Sequence, residues 1–341
     1  VSYEVKNMAT IKDVAKLAGV SVCTVSRTIS DKGYIKEETR RRVWEAIRQL
    51  DYRPNKVAVS LKTGRSNVLA LIIPDVMNMY YARLAKYLEE AAGKLGYMVY
   101  LCNSGNDGER EKQFVEILCQ RNVDGVVVTP CTNEHGYVHK LAAAKIPYVY
   151  LNRTFPDDME HCIRMDNFKA TYECITYLIG QGHKKIGAVF QSFHNMIYEE
   201  RYRGMRKAME DHKIPYCEDY MIFNGDCSKA CRERVGQLLL RPDRPGAIFA
   251  ANDMLAIDVY KTAHNCGLAI PEDLSVVGFD DIIMAEKIAP AMTTYCTPAK
   301  EMAEAAMMYI DNSIWNKGLK SFPVYEGKLI IRDSVKEVLY E

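Results

Sequence analysis

The 341-residue chain contains no apolar run near the roughly 20 residues that a membrane-crossing helix requires. It also lacks a secretory leader pattern: Lys6, Asp13 and Lys16 are scattered among apolar positions instead of preceding an apolar block. Both features point to a cytoplasmic protein, and Met8 reads as the natural start, with residues 1–7 preceding it. The 11 cysteines include no C-x-x-C pair, and their odd number and scatter exclude a disulfide framework. Cys227 with Cys231, and His161 beside Cys162, come nearest to a metal-ligand pattern, yet neither has a second ligand pair. No metal and no cofactor is expected. The G-x-S-x-G elbow, the H-E-x-x-H pair and the G-x-x-x-x-G-K-[ST] loop are missing too. "GQGHKKIG" lacks the order of a phosphate-binding turn, and His183 reads as a loop or helix-end residue. The chain is therefore not expected to be an enzyme.

An excess of charge is also missing, since the formal net charge is only +1, but this balance hides a segregation. Residues 1–65 carry 14 Lys and Arg against 7 Asp and Glu, while the remainder carries 31 against 37. A basic front joined to a mildly acidic body suits a polyanion partner for the front and a different task for the body. A solvated helix face explains Arg40-Arg41-Arg42 taken alone.

The local pattern goes further. Ile11, Val14, Ala15 and Ala18 recur at helical spacing, Gly19 permits a tight turn and Ser21 can cap a second helix. On that helix Val25 and Ile29 share one face, while Val22 with Ser26 and Cys23 with Arg27 share the other. A third helix is expected over 37–50, with Val43, Trp44, Ile47 and Leu50 as its apolar stripe. In a helix-turn-helix the second helix enters the major groove with its N-terminal residues at base edges, which makes Val22, Cys23, Ser26 and Arg27 the base-facing candidates. Pro54 then disfavours helix at Arg53, Asn55 can cap a new turn, and residues 56–61 form a helix too short to be stable alone.

Beyond residue 66 the pattern changes. "VLALIIPD", "YMVYLCNS", "VDGVVVTP" and "IPYVYLN" are short β-branched runs separated by helical stretches at 81–95 and 109–120, the signature of a parallel sheet with crossover helices. After Gly182 the plan repeats through "KIGAVFQS", "YMIFNG", "PGAIFAAND" and "DLSVVGFDD", giving two α/β halves. Ligands bind beyond the carboxyl ends of such strands, where Asp75, Asn78, Asn152, Arg153, Asn252, Asp253, Asp280 and Asp281 stand. Helix capping is the competing explanation for each Asn and Asp, and an ion pair between the halves for Arg153 and Arg201.

"TIKDVAKLAGVSVCTVSRTIS" followed by "TRRRVWEAIRQLDYRPNKVAVSLKTGRS" resembles the headpiece and hinge of the LacI/GalR family of bacterial transcription regulators, and the similarity runs through nearly the whole chain. The resemblance implies an α/β protein: a three-helix helix-turn-helix headpiece at 8–53, a hinge helix and linker at 54–66, and a two-lobed, periplasmic-binding-protein-like body of doubly wound parallel sheets at 67–341. One lobe takes about 67–164 and 295–325, the other about 165–294 and 326–341, with the end of the chain crossing back between them. It implies DNA contacts from Thr10, Ser21, Val22, Cys23, Thr24, Ser26, Arg27 and Asn55, with Ala58 close to its dimer mate and Leu61 wedged into the minor groove. Val22 and Cys23 occupy the base-reading pair and favour thymine methyl groups, leaving Arg27 as the main polar reader. In the body, Asn152, Arg201, Asn252 and Asp280 match effector contacts of sugar-responsive members, alongside Asp75, Asn78 and Arg153, and Tyr80 or Tyr81 offers an apolar platform. Thr297 replaces a glutamine common in relatives, and Cys227 replaces an aromatic. The expected function is a ligand-responsive repressor of a carbohydrate-utilisation operon, a homodimer on operator DNA with a sugar or sugar derivative between its lobes. The alternative is a solute-binding protein without a DNA role, which leaves the basic front unexplained.

Overall fold

The computed structural model describes residues 9–31, 33–53, 64–153, 155–191, 196–223, 228–315, 317 and 322–339. The expectations for Asn55, Ala58, Leu61 and Cys227 lie outside these residues. The chain divides into two compact units, one ending at Ser66 and one beginning at Asn67.

The first unit contains α1 (Ile11–Ala18), α2 (Val22–Ser30) and α3 (Glu37–Gln49). Thr10 and Asp13 form a reciprocal capping box at the start of α1, and Gly19 ends it with φ 63°. Ser21 caps α2 by accepting the Thr24 N–H at 3.1 Å. Val14, Ala15, Ala18, Val25, Val43 and Ala46 make the core. Trp44 does not join it. The indole is 41% exposed, because Val43, Ala46 and Ile47 already fill the inward face and the next residue points outward. Thr28 is buried in the core, its hydroxyl donating to the Thr24 carbonyl at 2.9 Å.

In the second unit β1 (Val68–Ile73), β2 (Met98–Asn103), β3 (Gly125–Val128), β4 (Tyr148–Leu151) and β5 (Cys162–Ile163) form a sheet of order β2-β1-β3-β4-β5, parallel throughout. Its connections include α4 (Met79–Lys94), α5 (Gly108–Gln120) and α6 (His139–Ala143). After α7 (Asn167–Gly180) come β6 (Ile186–Val189), α8 (Met196–Asp211), β7 (Met221–Ile222), α9 (Lys229–Leu239), β8 (Ala247–Ala250), α10 (Asp253–Asn265) and β9 (Ser275–Asp280). Then follow α11 (Ile283–Lys287), β10 (Thr293–Cys296), α12 (Ala299–Ile314) and β11 (Lys328–Ile330). The second sheet runs β11-β10-β9-β8-β6-β7, with only β11 antiparallel.

The chain crosses between these lobes after β5, after β10 and before β11. Tyr295 and Cys296, expected with the first lobe, still pair in the second sheet, so the middle crossing starts after Cys296. Two crossing segments are stitched together where Tyr325 N–H donates to Arg164 O at 2.9 Å and Asp166 N–H to Tyr325 O at 3.1 Å. α12 packs back on the first sheet closely enough that a Cβ on Gly125 would meet Ile310 Cγ2 at 2.5 Å.

Candidate functional site

α2 presents the headpiece candidates unequally. Val22, Cys23 and Arg27 are exposed, and Ser26 is half-buried. The Thr10, Ser21 and Thr24 hydroxyls are engaged locally: Thr10 with Asp13, and Ser21 with Thr24 Oγ1 at 2.9 Å. The free side chains on the outer face of α2 are thus two that suit apolar contact and one long donor. Arg40 braces α2 through Asp31, its C-terminal cap, at 2.5 Å, whereas Arg41 and Arg42 stay exposed.

In the body, the polar set stands at the carboxyl ends of the strands. Behind β1, Asp75 accepts the Met77 N–H at 2.9 Å and Asn78 accepts the Tyr80 N–H at 3.0 Å, so each has an oxygen taken up by local turns. Tyr80 and Tyr81, at the start of α4, meet edge-on with ring centres 5.2 Å apart. The Tyr80 hydroxyl is buried without a partner, and burial pushes both phenols up. Behind β4, Asn152 has φ 60° and a buried, unpartnered Oδ1, and Arg153 is 3% exposed with Nε and one terminal nitrogen unpartnered.

From the second lobe, Arg201 on α8 is fully buried. Its Nε donates to Asn167 Oδ1 at 3.0 Å, a terminal nitrogen donates to the Ala251 carbonyl, and the other lies 3.9 Å from Asp280 Oδ1. Its guanidinium also lies 3.5 Å from the centre of the Phe279 ring. Asp280 ends β9 with φ 111°, and burial pushes its carboxyl up to about 6, against the pull of Arg201 and Arg83. Asn252 caps α10 through Leu255 N–H at 2.9 Å and donates its amide to the Tyr198 hydroxyl at 3.4 Å. Asp253 is structural: its oxygens accept from Thr294 Oγ1 at 2.6 Å and Ile282 N–H at 2.8 Å, and burial raises it to about 8.

The lobes are brought together at this set. Tyr80, Tyr81 and Arg153 from the first lobe act electrostatically on Tyr198, Arg201 and Asp280 from the second. Two residues absent from the sequence expectations take part. Arg83 on α4 reaches across to the carbonyls of Asp280 and Asp281 and to Thr297 Oγ1 at 3.1 Å, tying α4 to the end of β9 beside the shortened side chain at 297. Glu111 on α5 is completely buried; one oxygen accepts the Cys131 N–H at 3.0 Å, the other is unpartnered, and burial pushes its carboxyl up to about 7.

Away from this set, Asp158, Glu160 and His161 are the group of potential metal ligands that come close among the described residues. The His161 ring is hydrogen-bonded to Asp158, whose other oxygen accepts from the Tyr148 hydroxyl at 3.0 Å. No helix is long and apolar enough to cross a membrane among the described residues.

Comparison with known proteins matches residues 10–55 to the model of bacterial regulatory proteins of the lacI family and residues 175–335 to a periplasmic binding protein-like domain. The chain is 35% identical to the HTH-type transcriptional regulator DegA of Bacillus subtilis, over 86% of this chain and 88% of that one. It is 32% identical to the HTH-type transcriptional repressor PurR of Haemophilus influenzae, over 97% and 100%. In three dimensions it resembles the transcriptional regulator CelR in its cellobiose complex, with TM-score 0.72, 26% identity and coverage of 96% and 99%. It shares the fold of the Lac repressor dimer bound to operator and the anti-inducer ONPF, with TM-score 0.85, 23% identity and coverage of 96% and 99%. These relatives are transcription regulators. With its reading helix, its two-lobed body and these matches along nearly all its length, the chain belongs to the LacI family, as a ligand-responsive, DNA-binding transcription regulator.

Proposed function

We propose that this chain represses a carbohydrate-utilisation operon as a cytoplasmic homodimer and has no enzymatic activity of its own. One helix-turn-helix reads only a half-site, and two-fold pairing matches a pseudo-palindromic operator. Val22, Cys23, Ser26 and Arg27 read bases; Thr10, Ser21, Thr24 and Asn55 position the headpiece; Leu61 wedges the minor groove, with Ala58 at the dimer axis. The effector lies between Tyr80, Tyr81, Asn152 and Arg153 on one side and Arg201, Asn252 and Asp280 on the other, with Asp75 and Asn78 at its edge.

The observation that carries the carbohydrate reading is the convergence of a buried carboxylate, amides, arginines and tyrosine rings from both lobes. Carboxylates and amides suit paired hydroxyls, arginine fixes a ring, and aromatic faces cover its C–H surface. The cellobiose bound to CelR supports the same class. Effector binding would turn the lobes and shift the hinge between its DNA-bound and free forms.

The test is selection of operator DNA from genomic fragments by the full chain, followed by titration with a sugar panel. A palindromic site released or tightened by a sugar supports the proposal. Turnover of the bound sugar, or a sugar that binds while no DNA site is selected, refutes it.

A further inference from the structure

Resting on the carbohydrate reading, we propose that the effector is an acidic sugar derivative whose carboxylate or phosphate oxygen is held by Arg153. Three arginines stand where the lobes meet, Arg83 half-buried and Arg153 and Arg201 buried; Arg83 and Arg201 have strong partners for their terminal nitrogens, though Arg83 Nε is unpartnered. Arg83 is held by two carbonyls and the Thr297 hydroxyl. Arg201 has Asn167, a carbonyl, the Phe279 face and Asp280. Arg153, only 3% exposed, has no hydrogen-bond partner for Nε and one terminal nitrogen, and no ion pair within 4 Å among the described residues.

An unpaired guanidinium in such surroundings is costly, because burial penalises the charged form. The groups acting most strongly on it are Tyr81, Tyr198, Glu111 and Cys131. Glu111 is the only carboxylate among them, and it commits one oxygen to the Cys131 N–H. With its carboxyl raised to about 7, Glu111 is in part protonated at neutral pH and is a weak counter-ion. A neutral hydroxyl could accept the free N–H bonds but would leave the charge unmet. An anionic oxygen meets both, through charge-assisted hydrogen bonds to a planar donor. The buried, unpartnered Asn152 Oδ1, next to Arg153 in the chain, and the Tyr80 hydroxyl in the first turn of α4 are left to take hydroxyls of the remaining ring. Carboxylate and phosphate share this chemistry.

The test is calorimetry on the full chain with D-glucuronate, D-galacturonate and D-glucose 6-phosphate, against D-glucose and D-galactose as uncharged parents. At least one acid should bind roughly tenfold or more tightly than its parent, and which acid does so separates the carboxylate from the phosphate source. Arg153→Met should abolish that preference and Arg153→Lys keep part of it, with folding checked by circular dichroism. Uncharged sugars binding as well as the acids, or a preference unchanged in Arg153→Met, would overturn the acidic assignment and leave the carbohydrate reading standing. If no sugar of either kind binds, and the ligand released from the denatured protein is not a carbohydrate, both fail together.

Discussion

Replacing Glu111 by glutamine should flatten the dependence of the protein's stability on pH. In the folded body the carboxyl is raised to about 7, from an ordinary value of 4.5, with burial as the main cause. Between those values the folded state holds a proton that the unfolded chain has released. Its contribution is therefore fully present below about pH 4.5 and is lost as the pH rises through about 7. From near pH 5 to near pH 8 that loss amounts to roughly 2–3 kcal/mol. For a body running from Asn67 to Glu341, it corresponds to about 4 °C in melting temperature. Asp280 and Asp253, raised to about 6 and about 8 by burial, lean the same way, so the quantity to compare is the slope of wild type against the variant. Glutamine retains a carbonyl oxygen for the Cys131 N–H, which keeps the loop after β3 in place. Thermal unfolding followed by circular dichroism at both pH values, on the full chain, gives the two slopes. Equal slopes would refute the reasoning that this carboxyl is held protonated by burial.

Arg27→Ala should weaken binding to the selected operator by roughly 1–3 kcal/mol and to random DNA by less, as measured by fluorescence anisotropy; equal losses on both would make Arg27 a phosphate contact. Arg83→Ala should lower stability by about 1–3 kcal/mol, because the carbonyls of Asp280 and Asp281 lose a charged donor. An unchanged urea midpoint would show that this tie between the lobes carries no weight.

The parts of this protein that follow local rules were readable from its residues. Thr10, Gly19 and Ser21 announce the ends of two helices through capping and turn chemistry, and the β-branched runs mark the strands and thus the strand ends where the polar set stands. What escaped depends on distance along the chain or on which side of a helix faces inward. Trp44 sits beside Val43 in an apolar stretch, and hydrophobicity alone assigns it to the core; only the packing of α3 against α1 and α2 turns it outward and lets Thr28, back-bonded to Thr24, take an inward place. Arg83 looks like an ordinary exposed helix charge until α4 is set against the end of β9, nearly 200 residues later. Glu111, in the first turn of α5, reads as favourable helix-end chemistry, and no local signal tells that its partner is the backbone of Cys131.

The central claim is that a ligand bound in the two-lobed body sets the affinity of the headpiece for its operator. The most direct measurement is anisotropy titration of the full chain on its selected operator, with and without the small molecule released from the purified protein, for wild type and Asp280→Asn. A change of roughly tenfold or more in operator affinity is expected for wild type, corresponding to a coupling of about 1.4 kcal/mol. Asp280→Asn should keep the ligand-free affinity and show no response. An operator affinity that is the same with and without ligand in wild type would contradict that claim.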